Sequence, residues 1–448
     1  MKSPSTHLRL LALLSLLASP LLAQKVVRGP YLQQGTPTSV VVRWRTDIPT
    51  DSAVRFGQQP GKLDREAMTK WKTTEHVMIL EGLSPSTKYH YAIGSAEKTL
   101  VSDDGTYFVT SPKHGTRQPI RTWVIGDAGT ANANQAAVRD AYAKYTGQRH
   151  TDFWLMLGDN AYNTGTDSEH QAAVFDMYKE ILKKSVVWPT LGNHDAGSAA
   201  SVTQSGVYYD IFTLPTLGQG GGLMSGTEAY YSFDYGNIHY ICLDSEGTDR
   251  SPDGAMLTWL KNDLASTKQD WIITYWHHPP YTKGSHDSNT EGKLVEMREN
   301  AVPILEAGGV DLCLTGHSHS YERSFLLDRH YGKQDALTAK MKLDAGDGRP
   351  DGSGAYKKAT LGPGMHEGAV YVVAGSSGKV SDKNEKSAKR GFLDHPAMYI
   401  SLAKLGSMVL DVDGNRLDAT FLSEKGERLD YFSIVKGGGK AKPVARSR

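Results

Sequence analysis

Between residues 26 and 112 apolar and polar positions alternate, with Val40, Val42 and Trp44 on one side of one run and Tyr89, Tyr91 and Ile93 on one side of another. A period of two puts alternate side chains on one face of a strand, so both runs read as half-buried β-strands. Turn signals at Gly35-Thr36-Pro37, Gln59-Pro60-Gly61 and Leu83-Ser84-Pro85 separate the runs, which predicts a small all-β sandwich. From about residue 120 the pattern changes. Short apolar strands at 121–126, 152–157, 186–191, 229–235, 238–244, 271–276 and 310–315 alternate with helical patterns near 133–146, 168–184, 255–266 and 293–307. That alternation predicts a layered α/β domain over 120–436, with β-sheets flanked by helices. The Gly-rich segment 218–226 and the polar stretch 332–367 interrupt it as long loops, and the tail 437–448 reads as disordered.

Composition narrows the class. The chain has 448 residues, 39% hydrophobic and 22% charged, which is ordinary for a globular protein of two or three domains. A formal net charge of +1 excludes a whole-protein field that draws in nucleic acid or an anionic membrane, so any anion site must be local. Lys2 and Arg9, an apolar stretch from Leu10 to Leu22 and then Ala23 form the pattern of a cleaved signal peptide over 1–23, giving a secreted or periplasmic protein. That stretch is too short to span a membrane, and no later one is apolar enough. The only two cysteines, Cys242 and Cys313, each lie inside an apolar strand pattern and read as buried free thiols, the alternative being a bridge that would require neighbouring strands with both side chains on one face. Within the first domain, Gly82-Leu83-Ser84-Pro85-Ser86-Thr87-Lys88-Tyr89-His90-Tyr91 resembles a fibronectin type III module, with Tyr89 matching its corner tyrosine.

The candidate chemistry lies in five short segments at or just after predicted strand ends. They are Gly126-Asp127-Ala128-Gly129, Gly158-Asp159-Asn160-Ala161-Tyr162, Gly192-Asn193-His194-Asp195, Trp276-His277-His278-Pro279 and Gly316-His317-Ser318-His319. Ligands of open α/β sheets bind beyond the carboxyl ends of strands, so all five can converge on one crevice. Four have Gly directly before the polar residue, where the backbone can turn sharply without a Cβ clash. Any one of them alone reads as a helix cap or a turn. Five together, all carrying Asp, Asn, His or Tyr, exceed what capping needs. Oxygen and imidazole donors suit iron, zinc or manganese, and seven of them are too many for one ion but fit two ions sharing a carboxylate.

The order Asp-x-Gly, Gly-Asp-x-x-Tyr, Gly-Asn-His-Asp, x-x-His-x-Pro and Gly-His-x-His resembles the metallophosphoesterases, and specifically the purple acid phosphatases with their N-terminal β-sandwich. The resemblance implies that Asp127, Asp159, Tyr162 and His319 bind a ferric ion, while Asp159, Asn193, His277 and His317 bind a divalent iron, zinc or manganese. Asp159 is then the bridge. It further implies hydrolysis of phosphate monoesters by metal-activated hydroxide, with His194 facing the phosphate as donor and His286 or His278 as a second such histidine. A ferric and a divalent ion facing two carboxylates and a phenolate leave about two positive charges, so a near-neutral protein can still attract a phosphate dianion. The implied partner is a small phosphorylated substrate rather than a nucleic-acid polymer.

Two other functions compete. The same bimetal centre can hydrolyse phosphodiesters or nucleotides, a choice set by the room its loops leave for a second ester group. A non-enzymatic adhesion or carbohydrate-binding protein would draw on the sandwich, the Gly-rich loop and aromatics such as Tyr230 and Tyr231, read as exposed, but leaves the donor set unexplained. There is no Gly-x-Ser-x-Gly elbow, and Gly375-Ser376-Ser377-Gly378-Lys379 lacks the earlier Gly and the following hydroxyl of a P-loop, so that stretch reads as a polar loop.

Overall fold

The computed structural model describes residues 24–381 and 393–437; the segment 1–23 and nearly all of the tail 437–448 lie outside them. In the first domain the long strand Val40–Gly57 pairs antiparallel with Val26–Gln33 through its first half and with Lys88–Gly94 through its second. Its register against Arg65–Leu80 shifts on either side of Thr50, and such bulges bend a strand, so one segment serves both halves of the sandwich. Trp44, Tyr89 and Tyr91 fill the interior, as their alternation requires. The Tyr89 hydroxyl accepts from the Ser84 backbone N–H at 3.0 Å, closing the expected tyrosine corner.

The second domain holds two seven-stranded sheets. One runs Tyr356–Lys358, Arg428–Lys436, Arg416–Ser423, Gly406–Asp413, Ile120–Ile125, Phe153–Met156 and Val186–Pro189. The other runs Tyr231–Tyr235, Ile238–Cys242, Trp271–Trp276, Leu312–Thr315, Val370–Ala374, Tyr321–Ser324 and Met398–Leu402. The parallel strands at the heart of each sheet are buried along their whole length, which is why they read as unbroken apolar runs. Aromatic side chains join the two sheets: Trp188 stacks on Phe233 at 3.9 Å between ring centroids, and Tyr321 on Phe421 at 4.0 Å. The helices Ala133–Thr146 and Ala255–Ser266 form where the sequence places them, the first capped by Asn132.

Several expectations need correction. The pattern at 168–184 is not one helix: a capped turn, Asp167–His170, widens into π-helical Gln171–Asp176 before Lys179–Leu182. Apolar spacing reports which face is buried, not which hydrogen-bond step the backbone uses. The helix near 293–307 starts at Gly292 and breaks through π turns at Met297–Ala301, where Pro303 cannot supply the N–H that would continue the ladder. The sequence reading placed no strand beyond 315, yet seven longer or shorter strands from Tyr321 to Lys436 complete both sheets. Tyr230 and Tyr231 are buried, packed near Trp259 and Trp188 respectively, and offer no surface for a glycan. Cys242 and Cys313 are buried free thiols, with the strand Trp271–Trp276 between theirs. Among the described residues no helix is long and apolar enough to cross a membrane.

Two ionic clusters tie the parts together. Asp167 meets Arg28 at 2.9 Å and Arg45 at 2.6 Å, docking the sandwich on the second domain. The Arg45 hydrogen bond, against the opposing effect of burial and with help from Arg28, holds the Asp167 carboxyl down to about 2. Its folded value lies below its unfolded one, so this contact is complete above the ordinary carboxylate range and is lost only as pH falls toward 2. Between the sheets, fully buried Asp430 accepts from Arg323 at 2.6 and 3.0 Å, from the Tyr321 hydroxyl at 2.8 Å and from Arg349 at 2.9 Å. Removing that carboxylate strands a buried guanidinium. Asp430→Ala should therefore lower unfolding stability by ~3–5 kcal/mol in urea titration, and a loss below ~1 kcal/mol would mean that the pair is solvated.

Candidate metal centre

The five segments meet. Ile120–Ile125, Phe153–Met156 and Val186–Pro189 run parallel and deliver Asp127, Asp159 and Asn193, while parallel Trp271–Trp276 and Leu312–Thr315 deliver His277 and His317. The two sheets thus present their carboxyl edges to one crevice. At that edge the backbone is strained: Asp127, Asp159 and His317 have φ of 52°, 51° and 65°, in the left-handed region that L-residues seldom adopt. The glycines beside them are required by crowding. A Cβ on Gly192 would stand 2.3 Å from Asp159 Oδ1, and one on Gly316 would stand 2.6 Å from Asp127 Oδ2.

Two groups of donor atoms result. Asn193 Oδ1 lies 3.0 Å from both His277 Nε2 and His317 Nδ1, these nitrogens are 3.2 Å apart, and Asp159 Oδ1 is 3.4 Å from His277 Nε2. On the other side the Tyr162 hydroxyl is 3.2 Å from Asp127 Oδ1 and 3.4 Å from His319 Nε2, which is itself 3.6 Å from Asp127 Oδ1. Carboxylate oxygens of Asp127 and Asp159 and a nitrogen of His277 fall within 4.8 Å of one another, so Asp159 stands between the groups.

Around His277 these contacts are not a satisfied hydrogen-bond network. His277 Nδ1 faces the Leu157 carbonyl at 2.8 Å and must donate to it, which leaves a lone pair on Nε2 when the ring is neutral. That lone pair faces an amide oxygen, a carboxylate oxygen and a second imidazole. Against the Asn193 and Asp159 oxygens, acceptor faces acceptor. With ligand bonds of about 2.0–2.2 Å, donors at neighbouring corners of one ion sit ~3.0–3.5 Å apart, which matches both groups. The site therefore fits a pair of cations. Its protonation tells the same story. Burial, and then the neighbouring Asp159, push the Asp127 carboxyl well above its usual range. Burial, then Asp127 and Asp159, push the Tyr162 phenol up. Burial lowers the imidazoles of His317 to about 3 and His319 to about 2. Positive charge placed between these groups would reverse the penalty on the anionic forms of Asp127 and Tyr162, while the imidazoles are already held in the neutral form that can ligate.

The remaining predicted residues surround the donors. His194 is half-buried, its Nδ1 at 2.5 Å from the Asn163 carbonyl and its Nε2 at 3.9 Å from Asp159 Oδ2. His286 stacks on His317 at 3.7 Å between centroids and bonds Glu291 through Nδ1 at 2.8 Å. His278 is 3% exposed, turned to Ser245 at 2.9 Å, with its Nε2 3.5 Å from Glu246. Sequence reasoning gave no role to Asp195, yet its buried carboxylate accepts from the backbone of Gly192, Asn160 and Ala161 and clamps two donor loops together. The stretch Gly375–Lys379, read as a polar loop, packs on the Asp127 loop instead: Ser377 N–H donates to the Gly126 carbonyl at 3.1 Å. A pair of glycines at that spacing was the one available signal.

Known proteins share this fold and sequence pattern. Residues 29–114 match the model of the purple acid phosphatase N-terminal domain, and 120–321 that of the calcineurin-like phosphoesterases. Human acid phosphatase type 7 is 30% identical over 341 residues, covering 68% of this chain and 72% of its own length. The chain belongs to the purple acid phosphatase family. Purple acid phosphatase 18 of Arabidopsis thaliana is 26% identical over 323 residues, 68% of each chain. The structure of purple acid phosphatase PPD1 from yellow lupin (Lupinus luteus) seeds superposes with a TM-score of 0.67 at 17% identity, covering 93% of this chain and 77% of that one. PhoD superposes with a TM-score of 0.63 at 14% identity, covering 90% and 88%. At those identities the likeness is one of fold. As a member of the purple acid phosphatase family, the protein is a hydrolase of phosphoric ester bonds with a metal site and small phosphorylated substrates.

Metal content of purified variants tests the geometry. Asn193→Ala and His319→Ala should each lose about one ion per chain, and Asp159→Ala should deplete both positions. An Asp159→Ala protein that retains two ions would contradict a shared carboxylate.

Proposed function

We propose that this is an exported phosphatase that cleaves phosphate monoesters at one ferric and one divalent ion, the latter iron, zinc or manganese. The observation that carries this reading is the division of the donors. Tyr162, Asp127 and the shared Asp159 supply anionic oxygens, beside the His319 imidazole, that suit a trivalent ion; Asn193, His277 and His317 supply neutral donors, beside the shared carboxylate, that suit a divalent one. When bound, the two ions supply the positive charge that holds a phosphate and acidifies the attacking water. Export rests on Lys2, Arg9 and the Leu10–Leu22 stretch, and the mature chain should begin after Ala23.

The chain's own residues do the rest. His194 gives its Nδ1 proton to the Asn163 carbonyl, which fixes the ring and leaves Nε2 on the crevice side, able to hold a proton and release it to a leaving alkoxide. His286 is held by Glu291 through Nδ1, and its other nitrogen can meet a phosphate oxygen. The geometry favours His286 over His278 for that task, because His278 is enclosed by Ser245 and Glu246 and supports the His317 ring from 4.3 Å. Asp195 keeps Asn160 and Gly192 in place and so sets the approach of Asp159 and Asn193.

His194→Ala should lower kcat by ~10²–10⁴-fold, most for esters of poorly leaving alcohols, and an equal loss for all leaving groups would remove it as the proton donor. Iron-loaded protein should absorb visible light through Tyr162, and a band that survives Tyr162→Phe would show that the phenol is not a ligand. Parallel turnover of a phosphate monoester and a diester decides the substrate class, faster diester cleavage overturning the monoesterase reading.

A further inference from the structure

The loop after strand Val370–Ala374 brings a charge to the centre that the donor set does not use. The Lys379 ammonium lies 3.6 Å from the centroid of the Tyr162 ring, over its face. The loop is held on both sides of it. Gly126 N–H donates to Ser377 Oγ at 3.3 Å, Thr130 Oγ1 donates to the Gly378 carbonyl at 3.3 Å, and Ser381 N–H donates to the His319 carbonyl at 3.2 Å. Gly378 presses so close that a Cβ there would stand 2.8 Å from the Asp127 carbonyl. Lys379 is thus fixed between the two segments that carry Asp127 and His319, half-buried, facing the charges of Asp127 and Asp159 as well as the ring.

A cation over an aromatic face is attracted by the negative charge of the π-cloud and draws on it, most strongly where water is excluded. If that ring is a phenolate bound to a ferric ion, the electrons drawn toward the ammonium are the ones the phenolate would donate to the metal. We propose that Lys379 is a positioning residue that weakens the electron donation of Tyr162, so that the ring remains an anionic ligand while the pocket keeps more of its positive charge for a phosphate. The proposal rests on Tyr162 being the ferric ligand and deepens that reading. Two consequences follow from the same electrostatics. A positive charge lowers the energy of the filled ring orbitals, so the phenolate-to-iron absorption lies at shorter wavelength than it would without the lysine. It also makes the ferric state easier to reduce.

The test uses the full-length iron-loaded protein, with Lys379→Met removing the charge at similar length and Lys379→Arg keeping it. Circular dichroism and metal content establish that each variant is folded and loaded. Lys379→Met should move the visible band to longer wavelength and lower the reduction potential, and Lys379→Arg should restore both toward the parent values. A band that disappears in Tyr162→Phe but stays in place in Lys379→Met overturns the role of Lys379 and leaves the ligand assignment standing. If Lys379→Met raises KM for a phosphate ester with band and potential unmoved, Lys379 contacts substrate directly and the electronic role is wrong. Iron-loaded parent protein with no visible band defeats the Tyr162 assignment, and the proposal with it.

Discussion

The architecture depends on an enforced crowding of lone pairs. His277 spends its only N–H on the Leu157 carbonyl, so its other nitrogen faces Asn193, Asp159 and His317 with nothing to donate. Across Asp159, the Tyr162 hydroxyl donates to Asp127 Oδ1, and His319 Nε2 stands close to both. Burying two neighbouring carboxylates is expensive even with the backbone N–H groups of His317 and His194 donating to them, and positive charge bound between them would offset that cost. The strain at Asp127, Asp159 and His317 belongs to the same account. Three non-glycine residues in left-handed conformations persist because the strands behind them over-determine where they turn.

What over-determines them is the packing of two seven-stranded sheets whose parallel centres are buried on both faces. The stacked aromatics Trp188 with Phe233 and Tyr321 with Phe421, and the Arg323–Asp430 pair, fix one sheet against the other. A shift of one sheet by a fraction of a residue would separate Asp127 and Asp159, carried by the first, from His277 and His317, carried by the second. The sandwich domain is docked by Asp167 between two arginines, a contact whose depressed carboxylate keeps it charged in acid. Scaffold rigidity is thereby converted into ligand geometry, and loops such as Gly375–Lys379 can approach the centre closely because glycines leave the room.

Much of this was legible beforehand. The alternation at Val40, Val42 and Trp44 gives a buried sandwich face, and the helices Ala133–Thr146 and Ala255–Ser266 follow from apolar period and capping residues, all of which act within a few positions. The π turns at Gln171–Asp176 and Met297–Ala301, and the strands beyond Tyr321, were not legible. Their place in the sheets is decided by partners far along the chain: Gly406–Asp413 forms a local hairpin with Arg416–Ser423 but joins the sheet by pairing with Ile120–Ile125, nearly three hundred positions earlier. Tyr230 and Tyr231 show the same limit, since a tyrosine's burial depends on whether a Trp259 or a Trp188 comes to cover it.

The amino-acid order alone determined the fold class and the family, because short motifs with fixed spacing record the turn that each strand end must make. The family resemblance carried by those motifs also implied the donors, their division into two sets and Asp159 as the bridge. Only the tertiary structure decided the distances within each set, the stacking of His286 on His317, the enclosure of His278 by Ser245 and Glu246, and the place of Lys379 over Tyr162. Those are relations among side chains separated by tens to hundreds of positions, set by the register of one sheet on another, and no local pattern encodes a distance of that kind.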